Sequence, residues 1–96
     1  MFTVQQTQSF AKWFGALRDI KGRVAIARRI TRMAAGNFGD SKSVGGGVSE
    51  LRVDVGAGYR VYYTRRGNEL VIVLAGGDKS TQDKDIERAH ALAKEY

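Results

Sequence analysis

VSELRVDV at residues 48–55, GAG at 56–58 and YRVYYTRR at 59–66 decide the fold of this chain. In the first segment Leu51, Val53 and Val55 fall on one side of an extended backbone and Glu50, Arg52 and Asp54 on the other. After the glycine turn the same period of two returns, with Tyr59, Val61 and Tyr63 alternating against Arg60, Tyr62 and Thr64. Strict alternation on both sides of a short turn is the pattern of two strands paired as a hairpin. Gly67-Asn68 turns the chain again, and LVIVLA at 70–75 is apolar throughout, as expected of a strand covered on both faces at the sheet centre. Residues 48–75 therefore read as an antiparallel meander of three strands.

Upstream, the period lengthens. Phe2-Thr3-Val4-Gln5 alternates and predicts a short strand, after which Thr7 or Ser9 is placed to cap a helix. Phe10, Trp13, Phe14 and Leu17 recur at i, i+3, i+4 and i+7, one apolar face of that helix. Gly22 separates it from a second helical pattern over Arg23–Ala35, whose stripe is Ile26, Ala27, Ile30, Met33 and Ala34. Gly36–Gly47 is polar and glycine-rich and reads as a mobile connector. Downstream, Gly76-Gly77-Asp78-Lys79-Ser80 reads as a glycine loop at the rim of the last strand. A final helix begins at Thr81, with Asp83 and Asp85 in its first turn and Ile86, Ala89, His90 and Ala93 at helical spacing. The predicted class is α+β, in the order β-α-α-β-β-β-α, with a helical hairpin packed on a small sheet.

Composition narrows the function classes. The chain has 96 residues, 43% of them hydrophobic, enough for one modest core and one domain spanning 1–96. No cysteine is present, which excludes a disulfide scaffold, a thiolate zinc site and a cysteine nucleophile. One histidine excludes a His-rich metal site, so no metal is expected. The N-terminus lacks a signal-peptide pattern, and the longest apolar run has six residues (70–75), far short of the ~20 that cross a bilayer. A cytoplasmic protein with no membrane partner is expected. Sixteen basic against ten acidic residues give +6, a field that favours a polyanionic partner.

Residues i and i+2 of a strand share a face, so Glu50 projects with Arg52, and simple register brings Arg60 and Tyr62 onto the same side. A basic, tyrosine-bearing concave face rimmed by a glycine loop predicts an RNA-binding cleft. The bland alternative is a solvated sheet surface with cross-strand ion pairs. Arg28, Arg29 and Arg32 read either as a solvated helix face or as a track for phosphates. Tyr59, Tyr63, Trp13 and His90 read as core residues. Gly76-Gly77 has the spacing of no phosphate-binding loop.

GVSELRVDVGAGYRVYYTRRG, followed by LVIVLAGGDKSTQDKDIERA, resembles the toxins of the RelE/HigB/ParE superfamily, and most closely the phage-derived, Gp49-like branch. The similarity is carried by Glu50-Leu51-Arg52, by Gly58-Tyr59-Arg60-Val61-Tyr62, and by Gly77-Asp78-Lys79-Ser80 with Gln82, Asp85 and Ile86. It implies a RelE-like fold and the toxin of a type II toxin–antitoxin module: an mRNA endoribonuclease, working at the ribosome without a cofactor. It also implies neutralisation by a cognate antitoxin, a HigA-like helix-turn-helix protein. The ParE-like alternative shares the fold but poisons DNA gyrase by protein binding; a plain RNA-binding module is a third reading. Carried over by position, the meander arginine of the RNases falls on Arg60 and the basic residue after the last strand on Lys79. The basic pair of the first meander strand falls on Glu50 and Arg52, one member being replaced by an acid, and RelE's late tyrosine has no counterpart, since Asp85 and Ile86 occupy that region.

RNA cleavage through the 2′-OH needs a base, charge stabilisation at the phosphate and an acid for the leaving oxygen. Arg60, Lys79 and Arg52 supply the second. Glu50 is the base by type, but a carboxylate flanked by arginines is a weak one, and holding Arg52 or Arg60 in position is its expected role. Lys79 is the group expected to exchange a proton. Tyr62 is expected to stack on a base or donate to the leaving group, with Gln82, Arg28 and Arg32 as further RNA contacts.

Overall fold

A computed structural model describes residues 1–96. In it, the two alternating segments become β3 (Val48–Val53) and β4 (Tyr59–Arg66), and the apolar run becomes β5 (Leu70–Asp78). They are preceded by β1 (Thr3–Gln6), α1 (Gln8–Ala16), α2 (Ile20–Ala34) and β2 (Ser41–Ser43), and followed by a single 3-10 turn (Lys79–Thr81) and α3 (Gln82–Glu95). The five strands form one sheet in the order β1-β5-β4-β3-β2. β1 runs parallel to β5, and every other pairing is antiparallel. The class is α+β, compatible with the RelE-like fold, with the meander as read.

Both faces of this sheet are covered, which is why β4 is buried from Tyr59 through Thr64. The helical hairpin packs Phe10, Ile26 and Met33 against Leu51, Val53, Tyr59, Val61, Tyr63, Val71 and Val73. On the other face α3 sets Ala89, with the flanking Ile86 and Leu92, over Val48, Tyr62, Ile72, Leu74 and Ala75. A β-bulge makes this possible: Tyr62 pairs with Ala75 and Tyr63 with Val73, so Leu74 is the extra residue, and it joins Ala75 on the α3 side.

The hairpin is fixed by its caps. The Thr7 hydroxyl accepts from the Phe10 N–H and donates to the Leu74 carbonyl at 2.6 Å, tying the start of α1 to β5; Thr7, not Ser9, is the cap. Asp19 caps α2 by accepting from the Gly22 N–H, and a second of its oxygens accepts from the Tyr59 hydroxyl at 2.8 Å. These two bonds, the backbone one first, hold the Asp19 carboxyl below the usual carboxylate range.

Several expectations are corrected. α2 begins at Ile20, so Gly22 lies inside the helix and does not separate two helices. It is buried against Tyr59, whose ring a Cβ there would overlap. Ala27, assigned to the core stripe, is exposed. The connector 36–47 contains β2, paired to β3 through Ser41↔Leu51, Lys42↔Glu50 and Ser43↔Ser49, and the His90 imidazole contacts the Val44 and Gly45 carbonyls at 3.0 Å. Gly76 and Gly77 are buried strand residues, not a loop. A Cβ on Gly76 would overlap the Trp13 indole, and one on Gly77 the Asp85 carboxylate. β4, not β5, is the middle strand of the five.

Candidate functional site

The register of the meander builds two cross-strand rows at one end of the sheet. Arg52 lies opposite Arg60 and Arg60 opposite Gly77, while Glu50 lies opposite Tyr62 and Tyr62 opposite Ala75. The expected neighbours are thus brought together, but not on an open face. α3 roofs them, leaving Glu50 and Tyr62 0% exposed and Arg60 7%. The predicted concave cleft is corrected to a buried charged cluster with an exposed rim, because α3 covers the face of β3–β5 that a bare meander would offer to solvent.

Glu50 is the centre of the cluster. Its Oε2 accepts from the Gln82 amide at 2.6 Å, and its Oε1 faces Arg60 Nε at 3.8 Å and Arg52 Nε at 4.0 Å. Both guanidinium contacts are too long to be hydrogen bonds, so Glu50 Oε1, Arg52 Nε and Arg60 Nε are charge-paired yet lack hydrogen-bond partners. Taking a carboxylate out of water is costly unless a cation compensates it, and here two share the task. Rim acids add to these contacts: Asp40 lies 3.4 Å from the same Nε of Arg52, and Asp54 holds the outer end of Arg60, 3.5 Å from its Nη1. Arg60 Nη1 also donates to the Tyr59 carbonyl at 3.0 Å, and Arg29 ties α2 to this corner by donating to the Arg52 carbonyl at 2.6 Å. Arg60 is therefore rigid and almost covered, whereas the Arg52 side chain is 35% exposed.

Tyr62 cannot stack on a base in this structure. Its hydroxyl is buried without a hydrogen-bond partner, and burial, reinforced by the Glu50 carboxylate, pushes the phenol well above its ordinary value. It stands in the site as a neutral phenol.

Lys79 and Gln82 sit on the other rim. The Lys79 N–H donates to the Gly58 carbonyl at 3.0 Å, and its aliphatic stem lies on Gly58, whose φ of +79° and lack of a Cβ leave room for it. The turn Lys79–Thr81 and the first residues of α3 line a cleft of about 420 Å³ that includes Lys79, Gln82 and Lys84. Gln82 thus faces this cleft and also bonds Glu50, joining the solvent-filled space to the buried charges. Below it, Asp85 is buried and accepts from the Thr81 hydroxyl at 2.6 Å.

Arg28 and Arg32 do not join the site. They are exposed on α2, which covers the opposite face of the sheet from α3. The sequence reading missed Asp40 as a partner of Arg52, because Asp40 lies in the connector and nothing local announces that β2 folds it back against β3. For Asp54 the alternation carried the signal, since it shares the parity of Glu50 and Arg52.

A sequence model of the family described as "Phage derived protein Gp49-like" matches residues 12–95, from the middle of α1 through α2, the meander and α3. A protein of Haemophilus influenzae, described as an uncharacterized protein, is 50% identical over 92 residues, spanning 96% of this chain and 93% of its own length.

Proposed function

The chain belongs to the phage-derived Gp49-like family, within the RelE/HigB-like toxin superfamily, and from that premise we propose that it is the toxin of a type II toxin–antitoxin module, an endoribonuclease that cuts mRNA at the ribosome and is neutralised by a cognate antitoxin. The observation that carries the reading is the buried Glu50, which orders two arginines beside a cleft that also contains Lys79. A bare pair of arginines would splay apart. Held by one acid between them, they form a preorganised cationic corner at which a phosphate gaining charge is stabilised without reorganisation.

The residue roles follow from access. Arg60, rigid and fixed by Glu50, Asp54 and the Tyr59 carbonyl, is the anchor for the scissile phosphate once Asp54 swings away. Arg52 and Lys79, both reaching solvent, close on the phosphate from either side. Glu50, sealed from solvent, is a positioning residue and not the base. Lys79, the exposed cation at the cleft, gives a proton to the leaving 5′-oxygen, while the proton of the attacking 2′-hydroxyl passes to water, from which Lys79 is reprotonated. Gln82 transmits occupancy of the cleft to Glu50. No exposed group of the cluster is a strong base, which fits a substrate activated by its setting: orientation on the ribosome is worth about 7–11 kcal/mol of barrier.

The test is translation in vitro with primer extension on the mRNA, with and without ribosomes, for wild type, Arg60→Ala, Arg60→Lys and Lys79→Ala. Cuts that need ribosomes and fall at least ~100-fold in each variant are expected, each variant being shown folded by circular dichroism. Efficient cutting of free RNA would remove the ribosome from the reading. Intact mRNA and undisturbed translation, with DNA damage on induction, would replace it with gyrase poisoning.

A further inference from the structure

α2 has two apolar sides. Gly22, Ile26 and Met33 form the buried one. On the opposite side Ile20, Val24, Ala27 and Thr31 are all exposed, Ile20 by 75% and Val24 by 45%. At 100° per residue these four lie within about 60° of arc, directly away from the sheet. Apart from the terminal Met1 and Tyr96, Ile20 and Val24 are the exposed large hydrophobic residues of the chain, and they fall one turn apart on one helix. Single exposed apolar residues need no explanation, but a stripe of them does. The stripe is bordered by the exposed Arg28 and Arg32, and Val24, Ala27, Thr31 and the two arginines line a shallow depression of about 460 Å³.

We propose that this outward face of α2 is the docking surface for an amphipathic helix of the neutralising partner. Apolar side chains of that helix cover Val24 and Ala27, and acidic side chains along one edge pair with Arg28 and Arg32. The inference rests on the toxin reading above. Charge selects this occupant over others. A second copy packed through the same face would bring no carboxylate to Arg28 and Arg32, because residues 20–34 contain no acid. A nucleic acid backbone would satisfy the arginines and leave the apolar centre uncovered. A helix with a leucine-type seam and an acidic edge satisfies both, in the manner of amphipathic helices seated in apolar grooves.

The experiment co-expresses the toxin with the protein encoded by the adjoining gene and reads growth, then measures complex formation of the two purified proteins by calorimetry. Val24→Asp and the pair Arg28→Glu/Arg32→Glu are compared with wild type, and Lys94→Glu on α3 serves as a charge control. The expected result is that the α2 variants still arrest growth, which shows that they fold, but escape rescue and bind the adjoining gene's product at least 10-fold more weakly, while Lys94→Glu is rescued. Rescue of the α2 variants at wild-type levels overturns the docking surface and leaves the toxin reading standing. A wild-type chain that arrests neither growth nor translation overturns the toxin reading and the inference with it. Cosedimentation of the wild type with phosphatidylglycerol vesicles, abolished by Val24→Asp, would make the stripe a membrane contact and equally overturn the assignment.

Discussion

Tyr62 and Glu50 are both completely buried polar side chains on neighbouring strands, yet their substitutions have opposite expected signs. The Tyr62 hydroxyl has no hydrogen-bond partner, so the folded state bears its desolvation without return. Tyr62→Phe removes that hydroxyl at constant shape and should raise stability by about 1 kcal/mol in a urea melt at pH 7. The phenol also links stability to alkaline pH. Its folded value is raised, so the stabilisation is fully present below the unfolded value near 10 and is lost as pH rises beyond it. Tyr62→Phe should therefore flatten the alkaline limb, with Tyr59, raised by its hydrogen bond to Asp19, supplying what slope remains. An unchanged limb would mean that the Tyr62 phenol reaches water. Glu50→Ala does the reverse. It leaves the nearly covered Arg60 facing no buried carboxylate, and removing one partner of a buried pair costs about 3–5 kcal/mol. A melt showing less than 1 kcal/mol of loss would mean that Asp54 alone satisfies Arg60.

Between the elements, the closest packing is at two glycines of β5, with Gly76 under Trp13 of α1 and Gly77 under Asp85 of α3. Gly77→Ala must push away the first turn of α3, and with it Gln82 and its bond to Glu50. The expected cost is about 1–3 kcal/mol, together with faster hydrogen exchange at the start of α3 and little change in the hairpin. Exchange that quickens uniformly would show that α3 is not the element displaced. These glycines also mark where sequence reading succeeds and where it stops. Meander, hairpin and final helix were legible because periods of two and 3.6 are written locally. The same alternation put Glu50, Arg52, Arg60 and Tyr62 on one face. What alternation cannot say is what covers a face. The α3 stripe of Ile86 and Ala89 implied burial against something, but only the tertiary fold puts it over Tyr62 and Ala75. Two glycines in a strand look alike whether they admit a ligand or a neighbouring helix, and here they admit helices. β2 is three residues of SKS with no apolar signal, formed because β3 offers it an edge.

Across the whole molecule the charge is divided between two surfaces. The formal charge of +6 would give a generally sticky polycation if its arginines were equivalent, but they are not. Arg52 and Arg60 are held at the buried acid and Arg29 at the backbone of β3, whereas Arg28 and Arg32 stand free on the far side of the sheet. Binding to a short single-stranded RNA should therefore involve few phosphates. With Arg52, Arg60 and Lys79 as contacts, the slope of log affinity against log salt should be about −2, since each phosphate neutralised on a single strand contributes about −0.7. Lys79→Gln should reduce the slope by about 0.7, and Arg28→Gln/Arg32→Gln should leave it unchanged. A slope that responds to the α2 pair would mean that RNA crosses the helical hairpin, and the arginines of α2 would then serve nucleic acid and not a protein partner. Filter binding between 50 and 300 mM salt separates the two divisions of charge, because an RNA held at the meander senses the α2 cations only through a field already screened within about 10 Å.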